Sequence, residues 1–498
     1  MTIGIDLGTT KSAIGYWHDN KPVITKINDQ FSMPSEVYFY QNKVQVGYRS
    51  ADGNPIFFGA IKRHLGRQAM LKVSNHKAVH PQYIAAFILK QLKKYVEDDM
   101  HSKGLNEEVR EAVIAIPSHF DIYQRRATLE AAKIAGISVK RLINEATASC
   151  LDFSRSKGEN NGPVMIVDIG GGTLDISIVH ISTDDDTLQT MLEVKYIDGH
   201  TNLGGVDFDE VIFKWVKQRI DRINKTESNI NRSLKDLIKS EIAQKKVRLC
   251  EQESIKLYNP LHAINRKIDV YSPFNLSQQK FLDLSVPLFE RITSLVENSI
   301  NYFNKREYNI QDILLLGRAS KLYGLKEHVQ KRTELKCYTP IDPEVCVAKG
   351  AVMQAAIFDQ KLEEKLVIEV LQDYYGIELE DDKYHVFFEK GGIIPQDREW
   401  DFETKADNQT EIEIKVLKGS RPKASENSLM QTIKINNIDP APAGYTKIKV
   451  RFSMNADMIL KVTILNVRNK NLTYTIDSPD RLSENQILEY QKSVEDLL

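Results

Sequence analysis

The sequence predicts an α/β domain followed by an all-β sandwich, and three observations support this prediction. Across residues 1–363, buried strand patterns such as 164–168 alternate with helical periodicity, as in the spacing of Leu284, Leu288 and Ile292. After this region, only short and regularly spaced strand patterns follow, separated by Gly, Asn and Pro. The chain has 498 residues, of which 42% are hydrophobic and 27% charged, and this suits a globular protein of two or more domains.

The predicted organisation has four parts. They are an α/β domain (1–363), a linker (364–370), a β-sandwich (371–478) and a terminal helical segment (479–498). In the sandwich, the alternation of Ile412, Ile414 and Val416 is typical of a strand with one buried face. Ser483 is a candidate N-cap, and we expect a helix that starts there and is cut off by the chain end.

Composition argues against several classes of protein. The 67 Lys and Arg nearly balance the 68 Asp and Glu, so the net charge of −1 gives no electrostatic reason to expect nucleic acid or membrane binding. No apolar run reaches the ~18 residues of a membrane-spanning helix, and no basic leader precedes the first strand pattern. The four scattered cysteines form no CxxC pair, so we expect reduced thiols and a cytoplasmic protein.

One motif occurs twice. Asp6-Leu-Gly-Thr-Thr10 and Asp168-Ile-Gly-Gly-Gly-Thr173 each follow a buried strand pattern and precede a second one, so each predicts a strand–turn–strand hairpin. Glycine-rich turns present consecutive N–H groups to an anion, and an Asp at the strand end suits hydrated Mg²⁺. A single copy is equally compatible with a tight turn that binds nothing. Two copies, each after a buried strand pattern, favour a polyphosphate held from both sides. The P-loop and GxGxxG patterns are absent, so the two hairpins are the candidate phosphate-binding site in this sequence.

Ordered matches along the chain resemble the DnaK-type family of 70-kDa heat-shock chaperones. The matching segments are Ile5–Thr10, Ala60–Arg63, Arg141–Glu145, Asp168–Thr173, Leu203–Gly205, Asp207–Asp209, and Asn408–Gln409 ahead of Val416–Gly419. The resemblance implies a two-lobed actin-like ATPase domain, a β-sandwich that binds substrate, and a missing helical lid. The stretch between Arg67 and Pro81 is similar to compact bacterial paralogues of the HscC type.

The resemblance also implies roles for individual residues. Phosphates would be bound by Gly8, Thr9, Thr10 and Lys11 from one side and by Gly170, Gly171, Gly172 and Thr173 from the other. Lys62 would orient the attacking water, although alone it could be a solvated surface lysine. Mg²⁺ would be held mostly through water by Asp6, Glu145, Asp168 and Asp175, with K⁺ near Asp6 and Asp175. The remaining nucleotide contacts would be Gly204, Gly205, Lys246, Cys250, Gly317, Arg318, Ser320, Lys321 and Glu344.

The adenosine pocket departs from the family pattern. Arg318 stands where the family has a glycine, Cys250 replaces a serine, and Ala243 replaces a ribose-contacting glutamate. We expect Lys246 and Cys250 to share one helical face because they are four residues apart. These changes are either neutral for ATP binding or alter the selectivity for the base.

Signalling positions are partly altered. Ala146 replaces the proline of the family's Asn-Glu-Pro, which removes a fixed φ angle. Arg141, Asn144 and Glu364 match positions where a J-domain cochaperone docks, and a nucleotide-exchange factor is a further implied partner. The apolar linker residues 366–368 would dock on the ATPase domain in one nucleotide state.

The residues of the peptide groove differ most from the family pattern. Phe402, Ile412 and Ile414 match the apolar pocket for a side chain of an unfolded or extended polypeptide client, although the two isoleucines could simply be sandwich core. Over the groove, Glu380 and Lys405 replace small or apolar residues, with Glu403 beside Phe402. We call Glu380 and Lys405 the arch. A contact between them could bridge the groove, favour polar clients or close it.

The sequence therefore predicts a chaperone that hydrolyses ATP to ADP and phosphate and thereby controls peptide binding. Two alternatives remain open at this point. One is a weakly active or non-enzymatic adaptor or exchange partner with a dedicated client. The other is a small-molecule kinase on the same actin-like fold, although the sandwich and the apolar linker argue against it.

Overall fold

The computed structural model of this chain describes most of its residues. Those outside the description are 41–42, 50–54, 75–76, 158–161, 184–189, 201, 225–229, 231, 258–273, 306–308, 311, 340–341, 343, 363–365, 372, 468–469 and 477–480. The predicted boundaries at 363/364 and 478/479 therefore lie outside the described residues.

Helices occur mainly in the first three quarters of the described chain. They are α1 (Pro81–Ser102), α2 (Ile122–Ile134), α3 (Glu145–Lys157), α4 (Gly205–Asn224), α5 (Arg232–Lys245), α6 (Gln278–Asn304), α7 (Leu325–Thr333), α8 (Cys346–Phe358) and α9 (Glu484–Leu497). Short 3₁₀ turns cover Ile61–His64, Lys246–Cys250, Arg318–Lys321, Glu380–Asp382 and Ala424–Glu426.

Strands occur along the whole chain. Up to residue 338 they are β1 (Thr2–Asp6), β2 (Lys11–His18), β3 (Lys21–Ile24), β4 (Met33–Pro34), β5 (Val37–Phe39), β6 (Val44–Val46), β7 (Ile56–Phe58), β8 (Leu71–Lys72), β9 (Ala78–Val79), β10 (Glu111–Ile116), β11 (Ser138–Asn144), β12 (Gly162–Ile169), β13 (Leu174–Thr183), β14 (Thr190–His200), β15 (Ser254–Leu257), β16 (Phe274–Ser277), β17 (Asp312–Leu316) and β18 (Lys336–Tyr338). Beyond it they are β19 (Leu366–Val370), β20 (Tyr375–Leu379), β21 (Lys383–Phe388), β22 (Ile393–Ile394), β23 (Gln396–Glu403), β24 (Ile412–Lys418), β25 (Ser428–Ile435), β26 (Lys447–Met454), β27 (Leu460–Val467) and β28 (Lys470–Thr475).

The repeated sequence motif corresponds to a repeated sheet topology. One sheet has the order β11-β10-β1-β2-β3 and a second begins β18-β17-β12-β13-β14. In each, a central strand pairs antiparallel with the next strand and parallel with a later one. Helices α3 and α8 pack on each other beside these sheets, and Gly350 of α8 approaches so closely that a Cβ there would overlap the Ala148 carbonyl. The two hairpins thus occupy equivalent places in two similar units.

The predicted linker contains a strand. Strand β19 extends the second sheet by pairing parallel with β14, and its far end pairs with β22. Residues 366–368, the apolar linker residues expected to dock on the first domain, pair through their backbone with β14 of the second sheet.

Apart from β22, the strands between Tyr375 and Thr475 form two four-stranded antiparallel sheets. Their orders are β21-β20-β24-β25 and β23-β26-β27-β28. Residues of both sheets, including Ile414, Val416, Val450 and Phe452, belong to one buried apolar cluster. Their alternating burial follows the alternation of apolar residues in the sequence.

Helix α9 begins at the predicted cap. The Ser483 hydroxyl accepts a hydrogen bond from the Gln486 N–H, and the Gln486 side-chain oxygen accepts one from the Ser483 N–H. The helix packs on α1 and α2, with Tyr490 against Tyr83 at a ring distance of 4.5 Å. Among the described helices, none is long and apolar enough to span a membrane.

Candidate functional site

The two motif turns meet in a cleft between the two repeated units. Strands β1 and β2 are joined by residues 7–10, and β12 and β13 by residues 170–173. A Cβ on Gly171 would lie 2.5 Å from the Thr10 side chain, so only glycine allows this approach. In the second turn, the Gly170 N–H donates to the Thr173 carbonyl at 3.0 Å. In the first, Ser12 and Ser35 hold both backbone groups of Gly8. Both turns are therefore held rigidly before any ligand binds.

A buried ion pair lies at the base of the cleft. The Lys62 ammonium donates to Glu145 Oε1 at 2.5 Å, and the two side chains are 3% and 10% exposed. The surface-lysine alternative for Lys62 is therefore wrong in this structure. Lys62 is the second residue of the 3₁₀ turn Ile61–His64, and Glu145 is the first residue of α3.

Carboxyl groups surround this pair. Burial and the charge of Glu145 raise the pKa of Asp6 to about 7. Burial and the neighbouring carboxylates also raise the pKa of Asp168 and, despite Lys62, burial raises that of Glu145. Such mutual repulsion favours a bound cation. No three His, Cys, Asp or Glu side chains in the described part of the chain are placed to hold a metal directly.

His119 was not predicted from the sequence. Its ring Nδ1 lies 2.8 Å from Asp175 Oδ1, and its backbone N–H donates to the same oxygen at 3.3 Å. These two contacts fix the Asp175 carboxylate near the start of β13. Sequence reasoning missed it because His119 lies in the 117–121 connection, 56 residues from Asp175, and no local pattern marks it.

The cleft brings together most of the predicted nucleotide residues. Its lining includes Asp6, Gly8, Thr9, Thr10, Lys11, Lys62, Glu145, Asp168, Gly170, Gly171, Thr173, Gly317, Arg318 and Glu344. Gly172, Asp175, Gly204, Gly205, Ser320 and Lys321 do not line it. Gly204 and Gly205 instead pack on the second turn, where the Gly205 N–H donates to the Gly170 carbonyl at 3.0 Å. The lining residues that the sequence did not single out are Ser12, Ala13, Ser32 and Val347.

The prediction for Lys246 and Cys250 is wrong in one respect. The segment is a 3₁₀ turn, in which residues three apart are aligned and residues four apart are not. Lys246 is buried and its ammonium pairs with Asp209 at 2.5 Å, whereas Cys250 is exposed beside the Lys321 carbonyl. The two side chains therefore do not share a face.

Arg318 adds positive charge to the cleft. It lies 3.9 Å from Glu344, and Lys321 is 3.5 Å from the same carboxylate. Burial lowers the pKa of Lys11, and the Arg318 charge lowers it further. Gly317, with a φ of 75°, places this turn against Asp168, which a Cβ would strike. Three cations and one carboxylate thus favour a polyanion at this end.

The predicted peptide residues lie at one end of the sandwich. Ile412 and Ile414 are buried in the shared apolar cluster, and Phe402 packs against it half-buried. The arch is bridged, with Lys405 Nζ 2.6 Å from Glu380 Oε1 and both side chains more than 60% exposed. Glu403 is exposed at the end of β23.

A buried polar contact joins the cleft to the docked strand. Asn144, next to Glu145, donates through its backbone and side-chain nitrogens to Glu369 of β19 at 3.2 and 2.9 Å. The buried Arg125 donates to Asn144 Oδ1 at 2.9 Å. Arg141 is half-buried, and Asn144 is fully buried by these contacts. Glu364 lies outside the described residues.

Comparisons with known proteins identify the family. A family model described as Hsp70 protein matches residues 2–497. The chain belongs to the Hsp70 family. Among its relatives, Chaperone protein DnaK of Mycoplasmopsis pulmonis is 30% identical over 100% of this chain and 82% of the relative. The proteins of that name from Mycoplasma mobile (30%; 97% and 80% covered) and Mycoplasmopsis agalactiae (31%; 99% and 82%) are similar to it as well.

Family membership confirms the resemblance drawn from the motifs. The mixed α/β content and the multiple sheets of the structure are consistent with this family. Because the relatives are named as chaperone proteins along the full length of this chain, neither the adaptor nor the kinase alternative is favoured.

Proposed function

We propose that this protein uses ATP bound in the hairpin cleft to control the release of extended polypeptides from the sandwich. As a member of the Hsp70 family, the chain is an ATP-dependent chaperone and an ATPase. In this proposal residues 1–363 form an actin-like two-lobed domain, and residues 371–478 form the substrate domain, joined by 364–370. The protein acts in the cytoplasm, where its four free thiols stay reduced.

The residues of the cleft fit ATP with Mg²⁺. Two rigid glycine turns, Lys11 and Arg318 offer N–H groups and positive charge for phosphates, while Asp6, Glu145 and Asp168 repel one another until a cation arrives. When bound, Mg²⁺ neutralises charge on the phosphates. Lys62, held by Glu145, positions the attacking water, and Asp175, held by His119, contributes its charge from outside the residues that line the cleft. K⁺ between Asp6 and Asp175 is part of this proposal.

The observation that carries the proposal is the contact between the cleft and strand β19. Glu145 and Asn144 are consecutive, so a change at the metal site shifts the two hydrogen bonds that hold Glu369. The sandwich is tied to the same region, since the Leu142 N–H donates to Asp457 and the Tyr123 hydroxyl to the Met430 carbonyl. A nucleotide that binds the docked arrangement more tightly than the undocked one therefore changes the affinity of the sandwich groove for a peptide.

A J-domain cochaperone and a nucleotide-exchange factor complete the proposal. In the docked arrangement Asn144 has no surface for a partner, so Arg141 is the accessible one of the two predicted cochaperone residues that the structure describes. We therefore place cochaperone contact at Arg141, with Asn144 acting indirectly by holding Glu369.

The test is the release rate of a labelled peptide in ADP and in ATP. We expect ATP to accelerate release at least tenfold in the unmodified chain, and Glu369→Ala to remove most of that acceleration. Glu426→Ala, which changes an exposed carboxylate elsewhere in the sandwich, is the matched control. Equal release in ADP and ATP by the unmodified chain would contradict the proposal.

A further inference from the structure

The sandwich contains a second groove, between strands β21 and β23. Each is an edge strand that pairs on one side within the described sheets. The groove encloses about 550 Å³, within the usual range of ligand pockets. Its walls include Ile377, His385, Phe387, Gln396, Arg398 and Trp400. None of these residues belongs to the predicted peptide site.

The second groove and the predicted peptide site share strand β23. Trp400 and Phe402 are two residues apart on β23, so their side chains project from the same face about 7 Å apart. Ile377, in the wall of the second groove, belongs to the same apolar cluster as Ile412 and Ile414. An extended peptide repeats its side chains at this same spacing, so alternate residues can reach both places.

Two features of the second groove are unsatisfied in the isolated chain. The Gln396 Nε2 amide is buried and has no hydrogen-bond partner among the described residues. Trp400 is 36% exposed, whereas Trp17 and Trp215 are 6% and 8% exposed. The Trp400 ring packs against His385, with ring centroids 4.1 Å apart, and the remainder of the ring is partly exposed. Gln396 and Trp400 are four residues apart on β23, roughly 13 Å, and the buried amide is not open to a ligand, so the partly exposed Trp400 ring is the feature that favours a ligand with an apolar group.

The charges of the walls select among ligands. Arg398 is accompanied by Glu389 and Glu399, and Glu399 is already paired with Arg451 at 2.8 Å. A surface with two carboxylates and one arginine disfavours a phosphate or a nucleic acid. A polypeptide supplies a neutral backbone carbonyl and apolar side chains, and its backbone can pair with an open strand edge.

We propose that the second groove is an additional side-chain subsite for the polypeptide client, in which an aromatic residue of the client stacks on Trp400. The client residue two positions away occupies the site at Phe402. This inference rests on the proposed function and adds a substrate preference to it.

The first test uses tryptophan fluorescence of the full chain, since Trp400 is the most exposed of its three tryptophans. The probes are a nine-residue peptide with a central leucine, carrying phenylalanine two residues away on both sides, and the same peptide with serine there. We expect the phenylalanine peptide to lower the acrylamide quenching constant at least twofold and to bind about fivefold more tightly than the serine peptide. Equal binding and equal quenching with both peptides would overturn the inference.

The second test changes the ring itself. Trp400→Gln should reduce the affinity for the phenylalanine peptide to that for the serine peptide, while serine-peptide binding stays unchanged. Tyr445→Ser removes a 78% exposed aromatic residue of the same sandwich outside the groove and should leave the preference intact. A preference that survives in Trp400→Gln would overturn the subsite. Failure of both peptides to bind the unmodified chain would instead contradict the proposed function, and the inference with it.

Discussion

Two ion pairs of nearly equal length lie in opposite surroundings in this molecule. Lys62 and Glu145 are 2.5 Å apart at the base of the cleft and almost fully buried. Lys405 and Glu380 are 2.6 Å apart across the arch, and both are largely exposed to solvent. Water and salt screen the second pair but reach the first one poorly.

This difference in burial indicates which of the two ion pairs tolerates substitution. Removing one partner of a buried pair leaves a charge in a low-dielectric environment, at a cost of about 3–5 kcal/mol. An exposed pair contributes little and can be lost or gained at low cost. The buried pair Lys62 and Glu145 matches the family pattern, whereas the exposed pair Glu380 and Lys405 departs from it. Each prediction below would break or sharpen this comparison.

The largest effect is expected for Lys62→Met. Without the ammonium, the attacking water and the developing charge lose their positioned donor, so single-turnover ATP hydrolysis should fall at least ~100-fold. Lys21→Met, on an exposed strand residue, is the control and should change hydrolysis less than twofold. Hydrolysis within threefold of the unmodified chain would contradict the assignment of Lys62.

Asp6→Asn should change how stability depends on pH. The pKa of Asp6 is raised to about 7, against an ordinary value near 4, so its protonated form favours folding. This contribution is complete below about pH 4 and is lost as pH rises through about 7. In the nucleotide-free protein, the unfolding temperature of Asp6→Asn relative to the unmodified chain should therefore rise between pH 5 and pH 8. A constant difference would show that Asp6 is not shifted.

Arg318→Gly should have an intermediate effect on nucleotide binding. It removes one of the cations that line the cleft, so we expect ADP affinity to fall about tenfold, with weaker salt dependence. Lys331→Gly, a basic residue of α7 away from the cleft, controls for the loss of charge. Tighter ADP binding by Arg318→Gly would show instead that the side chain obstructs the site.

The smallest effect is expected at the arch. The double change Glu380→Met with Lys405→Ala replaces the exposed ion pair with apolar groups, and affinity for an apolar peptide should rise a few-fold. Because the pair is screened by salt, the unmodified chain should approach the variant as NaCl is raised to 1 M. A gain of a hundredfold or more would mean that the arch closes the groove.

Sequence reasoning found what is local and repeated. Both hairpins, the alternation of Ile412 and Ile414, and the Ser483 cap depend on neighbouring residues, and the structure places them as expected. It missed contacts between distant segments, such as His119 with Asp175 and Asn144 with Glu369, since no spacing marks them. It also assumed α-helical spacing at Lys246 and Cys250, where a 3₁₀ turn changes which residues align.

The central claim is that the buried cleft and the sandwich groove act on each other. The most direct test is single-turnover ATP hydrolysis with Mg²⁺ and K⁺, in the presence and absence of an unfolded polypeptide. The account predicts slow hydrolysis that the polypeptide accelerates several-fold, with the acceleration lost in Glu369→Ala. Hydrolysis that proceeds at the same rate with and without polypeptide would contradict it.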